Sequence, residues 1–356
     1  MSEQSSTSAA PAAPDGSGTP GPGTRPDHAS SGNALKRLMT GNASLLVGLV
    51  VALVVLVIFG AVARPQNFPT TGNALVILRQ ASVIGVISIG MTFVITAGGI
   101  DLSVGAIVGL ASVVATIEAT QSLAGDTHWV VMVLVAIAVG AAVGLVNGIV
   151  IAYGKVVAFM TTLAMMVGAR GLAEIVGSKR TLVLKDRDYV RFFNSKFLGM
   201  DMLIWIFIIV AVVGWIVLNR TTFGRRTVAL GGNREATRLA GIKVKRHTMW
   251  LYVIAGTAAG IAGAMMMART TAGTSVHGQL YELDAIAAVV VGGTLLVGGR
   301  GSIVGTVLGV LLFSTLTNVF VQLNLNSSVQ AVAKGIIIVV AVLLQQRFAK
   351  QNRRGD

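Results

Sequence analysis

The sequence predicts an all-α polytopic membrane protein of about ten transmembrane helices, with glycine-broken helices and a candidate internal repeat. Three observations carry this. Of 356 residues, 54% are hydrophobic and 12% charged, where an ordinary soluble domain has about 25% charged. The apolar residues gather in runs of about twenty, enough at ~1.5 Å per residue to cross ~30 Å of hydrocarbon. The chain holds 43 glycines, yet no proline follows Pro69, so later kinks fall to glycine or to Ser and Thr. The net charge of +14 sits mainly in loops, where it orients the chain in the bilayer; nucleic acid is excluded as a partner. Without cysteine there is no disulfide, thiol chemistry or Cys-based metal site, and His28, His128, His247 and His277 have no ligand spacing.

Residues 1–43 hold five of the seven prolines among Ser, Thr, Gly and Ala and read as a disordered arm. Lys36 and Arg37 place that arm in the cytoplasm. The transmembrane domain is expected over 44–346. Its first span, 44–63, is closed by Arg64, Pro65 and Pro69. A second begins near Asn73, carries Arg79 and Gln80 early, and reaches Gly98 and Gly99. A third, 102–116, leaves that glycine pair. Between them stands Asp101, either a functional carboxylate at membrane depth or a cap on the helix that follows. Span four, 129–152, has Gly140, Gly144 and Gly148 on one face for close helix packing. Asn147 beside that face reads as an interhelical hydrogen bond or a substrate contact. Lys155 marks a cytoplasmic turn. Span five, 156–176, has Arg170 and Glu174 four residues apart, read as a self-satisfied pair.

The 178–200 loop carries six basic residues against Asp186 and Asp188, and the topology puts it outside, against the charge rule. It is either overridden by the rest of the chain or a docking surface for something acidic. Span six, 202–218, returns inside. The loop 220–248 has eight basic residues against Glu235 and is the cytoplasmic anchor. Within it Asn233 caps a short helix that Gly241 ends, a lever shaped for a partner. Spans seven to ten, 250–268, 284–297, 302–323 and 329–345, lead to a basic cytoplasmic tail at 347–356. Both termini then lie inside, provided the segments flanking Asp101 count as two full spans.

Gly98, Gly99, Gly105 and Gly109 recur 200 residues later as Gly298, Gly299, Gly305 and Gly309. If the echo is real, each half contributes a glycine-broken helix pair, with the site between repeats. Arg300 stands one residue before the counterpart of Asp101, a candidate partner for it.

No phosphate loop, His-Glu-x-x-His or Gly-x-Ser-x-Gly is present, so the chain is not expected to be an enzyme or to power transport itself. Thr92, Thr96, Ser103, Asn147, Thr161, Thr162 and Asn318 offer hydroxyls and amides with little charge, suited to a neutral polyol. Ser and Thr in membrane helices more often bond their own backbone. An ion-coupled carrier using Asp101, or a channel, is the rival from another class.

The run Gly90-Met91-Thr92-Phe93-Val94-Ile95, then Gly98-Gly99-Ile100-Asp101-Leu102-Ser103-Val104-Gly105, resembles the signature of the membrane subunit of bacterial ABC sugar importers of the ribose, xylose and galactose permease family. The resemblance runs from about Ser44 to the C-terminus. It implies a permease in the bacterial cytoplasmic membrane that moves a monosaccharide, with a cyclitol or nucleoside as alternatives. It adds Phe93 to the solute path. The segment Gly232-Asn233-Arg234-Glu235-Ala236 with Arg238, Leu239, Ala240 and Gly241 is similar to that family's coupling segment, which implies docking on a cytoplasmic ATPase subunit. The other implied partners are an extracellular or periplasmic sugar-binding protein and a second permease copy. No cofactor is expected on this chain; ATP and Mg belong to the ATPase. Val156-Val157-Ala158 departs from the family, which carries proline there, and leaves the start of span five in question.

Overall fold

The computed structural model describes residues 42–337 and 339. The arm read at 1–43 lies outside them but for its last two residues, and the 347–356 tail lies outside altogether. The helices are α1 (Asn42–Ala63), α2 (Thr71–Thr96), α3 (Val104–Thr116), α4 (Glu118–Asp126), α5 (Val130–Ala152), α6 (Ala158–Val176), α7 (Arg187–Asn194), α8 (Met202–Arg220), α9 (Thr222–Gly232), α10 (Arg234–Leu239), α11 (Val244–Thr270), α12 (Tyr281–Val291) and α13 (Ile303–Gln322). A last described helix, α14, starts at 327 and continues through 337. Four two-residue strands, β1 (Leu182–Val183), β2 (Lys196–Phe197), β3 (Met200–Asp201) and β4 (Ala272–Gly273), form two antiparallel pairs, β1 with β4 and β2 with β3.

An all-α membrane architecture is what the composition demanded, and the count of about ten spans is not reached among the described residues. Among the described residues seven helices, α1, α2, α5, α6, α8, α11 and α13, are long and apolar enough to cross a bilayer, and α3 with α4 makes an eighth only as one span bent by 56°. The runs read as spans three and eight are helical for 13 and 11 residues, about 20 and 17 Å. Apolar composition marks membrane depth, but helix length depends on where the backbone can keep its ladder. Ahead of α12, Thr271, Gly278 and Leu280 have positive φ, and the chain from 274 to 280 is not helical. Span ten runs beyond the described residues.

The central helices are α2 and α11, and α1 is peripheral, exposing most of its surface to where lipid would lie. The expected glycine face of α5 packs on a second glycine stripe, Gly256 and Gly260 of α11. A methyl on Gly148 would stand 2.7 Å from the Met249 carbonyl oxygen, and one on Gly260 2.5 Å from that of Ala136. The two backbones touch, so the absence of side chains sets the helix separation.

The basic 178–200 loop is folded. Asp186 caps α7 by accepting from Tyr189 N at 2.9 Å. Tyr189 and Phe193 are buried against Trp129, and burial pushes the Tyr189 phenol well up while its hydroxyl donates to Ala264 O at 2.8 Å. Leu198 and Gly199, both at positive φ, make the two-residue turn between β2 and β3. Arg79, an isolated charge in the early turns of α2, is met by Asn194 and by Asp201 at 3.6 Å. The β1–β4 pairing places this loop at the same end of the molecule as the chain leaving α11. The 19-residue α8, long and apolar enough to cross a bilayer, separates it from the 221–243 loop.

Candidate functional site: a doubled glycine break against the end of α9

The two glycine pairs meet. Gly98, Gly298 and Gly299 have φ of +79°, +86° and +83°, a region that costs other L-residues about 1–2 kcal/mol. Gly299 N donates to Thr96 O at 2.9 Å, and a methyl on Gly298 would stand 2.8 Å from Gly98 N. The 200-residue echo therefore corresponds to two breaks in backbone contact. They are not mirror copies: the first joins the full-length α2 to the short α3, the second the short α12 to the full-length α13.

Asp101 is fully buried in the first break. Its Oδ1 accepts from Ser103 N at 2.9 Å and from Ser103 Oγ at 2.6 Å, a local turn bond just ahead of α3. Ser103 Oγ in turn accepts from Asn147 Nδ2 at 2.9 Å, so Asn147 makes the interhelical bond, joining α5 to the break. The expected partner Arg300 is not used: none of the ion pairs among the described residues includes Asp101 or Arg300. Tyr252 of α11 closes the other side, its hydroxyl 2.7 Å from where a methyl on Gly99 would be.

The remaining hydroxyls mostly bond their own helices. Thr92 Oγ1 donates to Ser88 O at 2.8 Å and lies 2.8 Å from Thr306 Oγ1, pinning α2 to α13. Thr96 donates to Thr92 O at 2.5 Å and Thr161 to Val157 O at 3.3 Å. Thr162 donates to Ala158 O at 3.0 Å and lies 3.5 Å from Ile100 O, touching the break from α6. Phe93, placed in the path by resemblance, is buried and packs on Phe223 of α9. Asn318 stands apart. It donates to Asn73 Oδ1 at 2.8 Å, and Asn73 is 23 residues, ~35 Å along α2, from Thr96. Of these residues Thr161 alone lines a groove of about 400 Å³ between α5 and α6, whose other walls include Val150, Val156, Met160 and Met165. Val157, at φ −60° and ψ 134°, starts α6 from an extended residue.

Arg170 does not pair with Glu174. It donates to the carbonyls of Ser275 and, at 2.8 Å, His277, because the unwound 274–280 chain leaves carbonyls free of a helical ladder. Glu282 is buried near it with Oε2 unpartnered. No group of three or more His, Asp or Glu side chains converges to hold a metal among the described residues.

The short helix α10 is capped and ended as expected. Asn233 Oδ1 accepts from Ala236 N at 2.9 Å, and Gly241 follows at φ +79°. Arg234, Glu235, Ala236, Arg238 and Leu239 are all exposed. Glu235 and Arg238 pair at 2.5 Å, and the guanidinium holds that carboxyl below its ordinary range. Immediately before it, α9 ends against both breaks. A methyl on Gly231 would collide with Thr96 O and Gly299 N, and one on Gly299 would stand 3.1 Å from Gly232 Cα.

A family model described as branched-chain amino acid transport system / permease component matches residues 73–342. The chain belongs to this permease family. The permease is 40% identical over 314 residues to the ribose import permease of Bacillus subtilis (strain 168), covering 88% of this chain and 96% of the relative. It is 36% identical over 316 residues to the L-arabinose transport system permease of Escherichia coli (strain K12), 86% and 92% of the two chains, and 33% identical over 297 residues to the D-allose permease of the same strain, 83% and 90%. No solved structure matches the chain significantly. The permease is the multi-pass membrane component of an ABC importer, not an enzyme; hydrolysis of ATP belongs to a separate subunit, and a binding protein completes the system.

Gly231 and Tyr252 are not singled out by the sequence, and Gly232 only by its place in the segment that resembles a coupling helix. A glycine pair ahead of the Asn233 cap carries the only local signal, and Tyr252 sits on a helix 150 residues from the break it closes.

Proposed function

We propose that the permease imports a monosaccharide, handed over at the face carrying the 178–200 loop and driven by ATPase subunits docking on α10. ATP and Mg bind those subunits. Relatives of 33–40% identity named for ribose, L-arabinose and D-allose support the substrate class. Both termini lie in the cytoplasm, on the side of the strongly basic 220–248 loop. A second copy of the chain completes the path. The observation that carries the mechanism is the backbone contact of Gly231 and Gly232 with both glycine breaks. A displacement of the exposed α10 reaches the breaks through less than one helical turn of chain. Alternating access then needs two packings of the glycine-lined helices separated by a few kcal/mol.

Proteoliposomes holding the permease, its ATPase and its binding protein test this with labelled ribose, arabinose and allose, and with leucine as the solute class named in the family description. ATP-dependent sugar accumulation is expected. Uptake on a proton or sodium gradient without the ATPase would sink the mechanism, and uptake of leucine alone would sink the sugar reading.

A further inference from the structure

The β2–β3 hairpin is attached to the lipid-facing side of a membrane span. β3 runs straight into α8, and Met202 N donates to Ser195 O at 3.0 Å across the foot of the hairpin. One turn into α8, Trp205 donates its indole N–H to Phe197 O at 2.9 Å, and the two rings meet edge to face at 5.7 Å. Trp205 heads a helical stripe that continues through Ile209, Val212 and Ile216, all three exposed. On a helix long and apolar enough to cross a bilayer, that stripe faces hydrocarbon. A tryptophan at its head, with the N–H bonded, marks the boundary with the headgroups. Phe197 and Leu198, 56% and 76% exposed, stand at that boundary. The open edges of two-residue strands would leave N–H and C=O groups bare in hydrocarbon, so the tip stays at headgroup depth.

The hairpin is braced and its surroundings are basic. Asp201, opposite Lys196 in the strand pair, is buried and meets Arg79 of α2 at 3.6 Å. The other acids of the loop are engaged as well: Asp186 caps α7, and Asp188 meets Arg191 at 3.5 Å. Lys179, Arg180, Arg187 and Lys196 have no acidic partner among the described residues. Unmatched cations beside two exposed apolar side chains complement a monolayer with negative headgroups.

We propose that this hairpin is a binding surface for anionic phospholipid. Phe197 and Leu198 enter the boundary between headgroup and acyl chain beside α8, and Lys196 meets a headgroup phosphate. The acidic partner that the basic loop calls for is then lipid rather than protein. The contact lies on the outside of α8, so it stands or falls independently of which solute is carried.

The chain has no cysteine, so Leu198→Cys gives the full-length permease a single site for a fluorophore. The labelled permease is placed in nanodiscs of phosphatidylcholine and phosphatidylglycerol in equal parts, with a nitroxide near the headgroup of one lipid or the other. Both lipids are expected to quench the label, and phosphatidylglycerol should be enriched ~5-fold around it, the preference one lysine confers near an anionic surface. Lys196→Glu should abolish that preference and leave quenching by phosphatidylcholine. A label that neither lipid quenches, or that both quench equally, would overturn the proposal. So would a label that responds only when the sugar-binding protein is added, which would make the hairpin a protein-docking surface. Native mass spectrometry of the detergent-purified permease gives a label-free check: Lys196→Glu combined with Leu198→Ser should retain less phosphatidylglycerol than wild type, and unchanged retention would count against lipid binding here.

Discussion

Gly231→Ala adds one methyl at the point where the end of α9 touches both breaks. The methyl would meet Thr96 O and Gly299 N, and stand 3.0 Å from the Thr96 carbonyl carbon. These are backbone atoms of two separate breaks, already joined by the Gly299 N to Thr96 O bond, so no side chain can swing away. Overpacking of this kind costs about 1–3 kcal/mol, against about 0.5–1 kcal/mol gained by replacing glycine inside a helix. The net penalty is ~1–2 kcal/mol and falls on the packing in which α9 lies against the breaks. Since ~1.4 kcal/mol is a factor of ten, uptake per ATP hydrolysed should drop ~10-fold in proteoliposomes while ATPase activity persists. Gly232→Ala is the control, because nothing lies within 4 Å of its added methyl. If the two variants carry sugar with the same stoichiometry as wild type, contact through Gly231 does not transmit the stroke.

Replacing Glu235 and Arg238 together by alanine should leave the permease assembled but uncouple hydrolysis from uptake, measured in the same vesicles. The Arg238 guanidinium lowers the Glu235 carboxyl, so this pair's contribution is present above the ordinary carboxylate range and is lost only as pH falls through the lowered value; coupling should stay level from pH 8 to about 5. Gly256→Leu forces α11 off Gly140 and Gly144 and should lower the thermal midpoint sharply or prevent assembly, read by size-exclusion profile. Asn318→Ala removes one of the two donors to Asn73 Oδ1 at the far end of α2, leaving Gln322 Nε2 at 3.2 Å, and should destabilise by about 1 kcal/mol without changing the ranking of sugars transported; a changed ranking would return Asn318 to the solute path.

Local chemistry was legible and distant chemistry was not. The Asn233 cap and the Gly241 stop could be read because their bonds close within a few residues. The Gly140 stripe declared a close approach but not its partner, since Gly256 and Gly260 lie more than a hundred residues on. Arg170 and Glu174 have ideal helical spacing, yet free carbonyls at 275 and 277 compete successfully for the guanidinium. Nothing in sequence spacing reports a carbonyl released by unwinding. The hydroxyls chosen for a solute path were polar enough for it, but Thr92 and Thr96 are 0% exposed and satisfied within the helix pair. Polarity at membrane depth identifies groups that need partners, and the helix's own carbonyls are the nearest ones.

The placement of the two breaks constrains how the permease can move. Gly98 and Gly298 face each other at backbone distance, both at positive φ, and the bond from Gly299 N to Thr96 O crosses between them. Neither break can change its dihedrals without displacing the other, so α3 and α12, the two short helices that leave them, are obliged to move together. Each is less than a full bilayer thickness long; α3 passes through a 56° bend into α4, and α12 is preceded by the non-helical chain from 274 to 280. With no proline after Pro69, nothing locks φ at the breaks, and glycine gives them access to both signs. A stroke arriving at Gly231 and Gly232 therefore acts on one joint shared by both halves. In the proposed reading, that junction is why a short cytoplasmic helix suffices to switch a path running the depth of the membrane.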